Sequence, residues 1–363
     1  MKNYLPFYIS LFALVLFASC EDEEPLVIDV PDSYADFENV NYDGQTQRLG
    51  QLAELTAYLK SASDGNSLNA ALLAARFANQ PNAAWDGTYS DSKQLRNKTF
   101  ESEQPQYDLL LDAAADASTV AQAVPGTAGI VVSADGAKKY HVNANGVEYA
   151  QVIEKGLMGA LLYYQSTGVY LEPGKMDVDN EEVIPGEGTA MQHHWDEAFG
   201  YWGVPQDFPS NTDGLLFWGD YTNDRDALLG SNEILMDAFK RGRAAIGQNQ
   251  LDIRDAAIQT IRKEWERVVA ATALHYLNSA AANFDDPALR LHALSEAVAF
   301  TYALQFNPQR SISLSETARL LTELGGSTQF NEMNLYNIDA AGILTVRDEL
   351  ATAAGLSALK EAF

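Results

Sequence analysis

The stretch GQTQRLGQLAELTAYLKSA, residues 44–62, decides the fold class. Leu49, Leu52, Ala53, Thr56 and Leu59 recur at three- and four-residue steps, which places them on one stripe of a helix with the charges opposite. Outward from it the same period continues nearly throughout. Ser67 stands as a cap before NAALLAARFAN, and Pro105 opens the alanine-rich PQYDLLLDAAADASTVAQA. Residues 147–167, VEYAQVIEKGLMGALLYYQST, predict a long apolar-faced helix closed by Gly168. MQHHWDEAFGYWGVP, residues 191–205, forms the next helix, NEILMDAFKRGRAAI follows, and a very long pattern runs from about 251 to 282. Asp286-Pro287 caps LRLHALSEAVAFTYALQF. Ser313 with Glu316 reads as a capping box for a helix ending at Gly325-Gly326, and a last helix runs from about 338 to 354.

One segment departs from this pattern. AGIVVSADGAKKYHV has β-branched residues on both sides of Asp135-Gly136, a hairpin signal. The expected fold is therefore all-α, several helices in bundles, with one small β-hairpin insertion near residues 129–142. The loop from Leu171 to Gly188 is long and acidic.

The first residues, MKNYLPFYISLFALVLFASC, carry one charge ahead of an apolar run and then small residues, the pattern of a secretory signal over residues 1–19. The small residues lead into Cys20, the only cysteine, so FASC reads as a bacterial lipobox with Cys20 as the lipidated residue. The acidic EDEEP follows, and residues 20–36 read as an acidic flexible tether. Together these predict an outer-membrane lipoprotein displayed at the cell surface, its lipid anchor in that membrane. The formal net charge of −26 excludes nucleic acid as a partner and argues against adhesion to anionic headgroups.

Two constellations carry candidate chemistry. In the first, His193 and Glu197 are four apart, His194 and Glu197 three apart, and Asp196 lies three from His193, so imidazole and carboxylate share a helix face. Trp195, Phe199, Tyr201 and Trp202 surround them, which would bury the polar groups and demand that they be paired or coordinated. The plainer reading is a polar helix face. In the second, His292 and Glu296 are four apart on an apolar helix; a core hydrogen bond is the plainer alternative. His141 is expected exposed in the hairpin and His275 in the core. Arg243, among small residues, is a candidate for close packing or anion pairing, with a structural salt bridge as the simpler role. There is no His-Glu-x-x-His pair, no nucleophile elbow and no phosphate-binding glycine loop. DVDNEE resembles the start of a calcium loop, but Glu182 stands where that loop needs Gly.

HHWDEAFGYWG resembles the motif of the imelysin-like proteins, His-x-x-Glu followed by aromatics and Trp-Gly. SYADFENVNYDGQTQRLGQL, KGLMGALLYYQ, HHWDEAFGYWGVP, FKRGRAAI and HALSEAVAF together are similar to a related group of Bacteroidetes lipoproteins known as a domain of unknown function, over most of the chain after residue 33. The resemblance implies two helical-bundle halves, an N-terminal one over 37–210 that includes the hairpin and a C-terminal one over 211–363, with the motif near their junction. It implies a lipoprotein tied to uptake or binding of iron or another ligand. The motif residues become His194 and Glu197, although Gln192 stands where the family has Gly and Trp202-Gly203 falls one residue late, so His193 remains an alternative to His194.

Three functions follow. The first is a lipoprotein binding a divalent metal, iron or zinc, or a small ligand at His193, His194, Glu197, His292 and Glu296, lined by Trp195, Asp196, Tyr201, Trp202 and Arg243, without turnover and working with an uptake-system or surface partner. The second is a helical partner-binding module with no metal. The third is a metallohydrolase using His194, Glu197 and His292 as ligands with Glu296 as base.

Overall fold

The computed structural model describes residues 1–2, 27–118 and 122–363. The apolar run at residues 5–18, Cys20 and EDEEP lie outside the described residues. Helix α1 (Asp43–Lys60) buries Leu49, Leu52, Leu55 and Leu59, the stripe that its spacing dictates. Helix α2 (Ala70–Phe77) is capped by Asn69, whose side chain accepts from the Leu72 amide, so the cap falls two residues beyond Ser67. Helix α3 (Gln104–Ala117) begins with Pro105 in its first turn. The hairpin stands where its sequence signal puts it: β1 (Gly129–Val132) pairs antiparallel with β2 (Lys139–Val142), Gly129 opposite Val142, and Gly136 takes a φ of 74° in the turn.

The long helix expected over 147–167 is not regular. Helix α4 (Tyr149–Leu157) passes into two π-helical turns, Met158–Tyr163 and Ser166–Tyr170. Gly168 is no stop: it sits inside the second turn and the chain continues to Tyr170. At Gly159 a β-carbon would lie 2.6 Å from the Cβ of Ala303, so the backbone approaches a later helix more closely than a side chain allows. Widened turns of this kind re-aim the residues that follow. Here they bring Tyr170 to the site described below.

Helices α5 (Pro173–Met176) and α6 (Ala190–Gly200) flank the acidic loop. Helix α7 (Trp218–Leu229) has no sequence counterpart in the periodicity, because WGDYTNDRDALL presents no continuous apolar stripe; it starts after Phe217, whose φ is +50°. Helices α8 (Ser231–Gly247), α9 (Leu251–Ala282), α10 (Pro287–Ala303), α11 (Leu314–Gly325) and α12 (Ala340–Ala353) complete the chain. Asp286 caps α10 through the amides of Ala288 and Leu289, and Gly326 closes α11 at a φ of 80°. The 32-residue α9 packs along α8, α10 and α12, and α10 in turn packs on α4. One large cluster of buried apolar side chains extends from Tyr34 to Leu356, and Ile28, Ala244 and Ala245 form a small second one. The described part of the molecule is thus mostly α-helical with one two-stranded sheet. No helix among the described residues is long and apolar enough to cross a membrane.

Candidate functional site

Helix α6 sorts its residues by face. Thr189 caps it, accepting from the Gln192 amide while Gln192 returns a bond to the cap backbone. The inward face is aromatic. Trp195, Phe199 and Trp202 pack on Phe239 of α8, and both indoles are satisfied, Trp195 Nε1 donating to the Phe239 carbonyl and Trp202 Nε1 to Thr222 Oγ1. Gly242 makes room: a β-carbon there would come within 2.0 Å of the Trp195 ring. These two tryptophans are core, not lining. Asp196 is fully buried, with Arg243 Nε donating at 2.9 Å and Tyr34 Oη at 2.6 Å. Burial raises the Asp196 carboxyl even against the Arg243 charge. This is a paired core carboxylate that ties the chain before α1 to α6 and α8.

The outward face holds His193, His194 and Glu197. Three elements converge on Glu197. Gln45 of α1 donates to Oε1 at 3.0 Å, Tyr170 Oη donates to the same oxygen at 3.0 Å, and His194 Nδ1 lies 3.1 Å from Oε2. His193 Nε2 stands 3.9 Å from Oε2. Burial alone would raise this carboxyl, but hydrogen bonds from His194 and Gln45, the His193 field and the Tyr170 bond hold it down at about 2. On its far side, His194 Nε2 lies 3.5 Å from Lys175 Nζ. An ammonium only donates, so Nε2 accepts, and a hydrogen on Nδ1 then serves Glu197. Lys98 Nζ is 3.5 Å from Tyr170 Oη, and both lysines stand over the Tyr170 ring. Both imidazoles are partly exposed, so the site is open to solvent.

A metal ion needs free lone pairs on at least three ligands, and this arrangement offers few. The Glu197 oxygens are occupied by donors, and a lysine ammonium sits against the outer nitrogen of His194. Among the described residues no group of three or more His, Cys, Asp or Glu side chains is placed to hold a metal ion. The donor set does not fit the iron or zinc expected from the motif.

His292 and Glu296 belong to a different neighbourhood. His292 Nδ1 bonds Glu148 at 2.7 Å, its Nε2 is 4.0 Å from Glu296, and Tyr140 stacks on the ring at 4.2 Å. Burial would lower the imidazole pKa, but the Glu148 hydrogen bond and charge outweigh it and raise it. Burial raises Glu296, whose Oε2 has no hydrogen-bond partner. Further along α4, Lys155 bonds Glu154 at 2.6 Å and Lys60 meets the other oxygen at 2.7 Å. A cavity of about 310 Å³, lined by Lys60, Glu154, Lys155, Asp220 and Tyr221 among others, opens at that end. The partners of His292 and of His194 are separate sets of residues, so the two histidine clusters do not make one centre. A cavity of about 600 Å³ beside the hairpin, bounded by Pro125, Ile130, Val132 and Tyr336, includes no member of either cluster.

His141, expected exposed, is buried against Tyr149, because β2 packs its inward face on α4; burial lowers its pKa. His275 is only half-buried. The side chains about Glu197 and Tyr170 that periodicity missed are Gln45, Arg48, Lys98, Tyr170 and Lys175. Gln45 and Arg48 carried a signal, polar residues three apart at the start of an apolar stripe, and both are buried. Lys98 ends a short 3-10 turn, Arg96–Lys98, and Lys175 stands in the one-turn helix α5; segments this short show no periodicity, so neither carried a signal.

The described structure makes this a mostly helical protein with a donor-saturated carboxylate on the open face of one helix. By sequence the chain matches the family described as Domain of unknown function (DUF4856) over residues 35–355, and it belongs to that family. No curated protein and no solved structure matches it.

Proposed function

We propose that this protein is a surface-anchored lipoprotein of a Bacteroidetes group related to the imelysin-like proteins, and that it binds a small ligand at the Glu197 site without turnover. Lipidation at Cys20 would hold it in the outer membrane, where an uptake system or another surface protein is its partner. The observation that carries the binding reading is the convergence of Gln45, Tyr170 and His194 on Glu197, with two imidazoles left partly exposed. Preorganised polar groups at an open face suit binding. Hydrolysis would need His194, Glu197 and His292 on one metal with Glu296 as base, whereas Glu197 is taken up by donors and His292 and Glu296 keep separate partners.

The reading is tested by native mass spectrometry and elemental analysis of the purified protein, wild type beside His194→Ala, with a peptide-hydrolysis assay in parallel. A bound species or a saturable ligand lost in His194→Ala, without hydrolysis, is the expected result. Chelator-sensitive peptide cleavage that disappears in Glu296→Gln would overturn it. So would identical ligand content in both proteins. Radiolabelled palmitate incorporation lost in Cys20→Ala checks the anchor, and resistance of the wild type to external protease on intact cells would remove surface display.

A further inference from the structure

The chain has 50 acidic and 24 basic residues, yet four of the basic ones stand about the Glu197 site without a salt bridge. Arg48 donates to two backbone carbonyls, those of Gly44 and Gln94. Lys98 and Lys175 reach only Tyr170 Oη and His194 Nε2, both at 3.5 Å. Their ammoniums lie 5.6 and 5.9 Å from the centre of one ring, that of Tyr170. Lys93 joins them from the loop after α2: a β-carbon on Gly44 would lie 3.1 Å from Lys93 Nζ and 3.4 Å from Arg48 Nη1, so these two cations converge over that glycine. Among the described residues none of the four is in a salt bridge. Glu197, the carboxylate in their midst, is already taken up by neutral donors and histidines. Burial lowers the Lys98 pKa first, and the charges of Arg48, Lys175 and Lys93 lower it further against Glu197, so the four cations act on one another.

A second observation points to an absent ligand. Tyr201 is fully buried and stands next to Tyr170, where Arg48 and Glu197 both act on its hydroxyl. Gln165, whose amide holds the Lys98 carbonyl, leaves its own oxygen unpartnered, and so does His193 its Nδ1. Buried polar atoms are rarely left unpaired without a reason.

We infer that the Glu197 site binds an anion carrying two or more oxyanion charges, a polycarboxylate or a phosphate group, through Lys98, Lys175, Lys93 and Arg48, with Glu197 holding His194 and Tyr170 in place. This rests on the reading of Glu197 as a binding site and names its ligand class. A bare divalent cation would add charge of the same sign to a site already rich in it. An oxyanion would supply what the lysines lack.

The test is calorimetric titration of the full chain, freed of metal with EDTA, with pyrophosphate and with citrate as the two probes. The expected result is saturable binding of at least one probe, weakened at least tenfold in Lys98→Gln/Lys175→Gln and weakened by added salt. The better probe then assigns the site to phosphate or to carboxylate ligands. Lys138→Gln/Lys139→Gln, which removes the same charge from the exposed hairpin, should bind as wild type. No saturable binding of either probe, or equal affinity in the two double variants, overturns the anion class. If zinc then binds stoichiometrically and is lost in His194→Ala, the Glu197 site survives as a binding site and only its ligand class falls. If no probe, zinc included, binds saturably, both readings fall.

Discussion

His194 with Glu197 and His292 with Glu296 start from nearly the same helical spacing and end in opposite electrostatic settings. At Glu197 the carboxylate is served mainly by neutral donors, and the surrounding cations are left uncompensated. Around Glu296 the charges are matched, Glu148 with His292 and the buried Glu154 with Lys155 and the half-exposed Lys60. The matched set behaves as structure: removing one member strands another in low dielectric. The unmatched set has room for a partner. Spacing along one helix decides which groups share a face, and the other helices decide what that face can do.

The largest effect that would sharpen this contrast is at Lys155. Lys155→Met leaves Glu154 with only the half-exposed Lys60, and we expect a loss of about 3–5 kcal/mol in urea unfolding. A loss below about 1 kcal/mol would show that the chain of charges is not structural. Glu197→Gln comes next, at about 1–3 kcal/mol near neutral pH, since donors aimed at a carboxylate would face an amide. Its pKa is depressed from 4.5 to about 2, so this contribution is present above pH 4.5 and is lost as pH falls toward 2. The wild type and the variant should therefore converge in acid urea titrations.

His292→Gln should cost about 1–2 kcal/mol, with the opposite pH dependence. The His292 pKa is raised above 6.5, so its stabilisation is complete below pH 6.5 and fades as pH rises through the raised value. A gap between wild type and variant that widened above neutral pH would break the assignment of the Glu148 pair. The smallest effect is expected at Lys175→Gln, within about 0.5 kcal/mol of wild type or slightly stabilising, because it relieves like-charge repulsion at a partly exposed position. A penalty as large as that of Lys155→Met would erase the distinction between the two regions.

The all-helical class, the hairpin, the start of α10 at Asp286 and the end of α11 at Gly326 were legible because each rests on signals within a few residues: a 3.6-residue stripe, a cap, a turn glycine. The misses have physical reasons as well. Helix α7 is held by contacts with α8 and α9 and lacks a stripe of its own. The π turns after α4 answer to the close approach at Gly159, which no local pattern announces. His141 looked exposed because a hairpin has a wet face and a dry one, and only its packing on α4 selects which is which.

The sequence by itself determined most of the helices, though not α7 or the π turns after α4, and that His193, His194 and Glu197 share one face of α6, since helical geometry is local. Only the tertiary structure decided that Asp196 turns inward to Arg243, that Glu197 meets Gln45 from 152 residues away, and that Lys98 and Lys175 stand over the same tyrosine ring. Charge neutralisation and hydrogen-bond saturation depend on distance in space, and residues so far apart in the chain acquire that distance only when the helices pack.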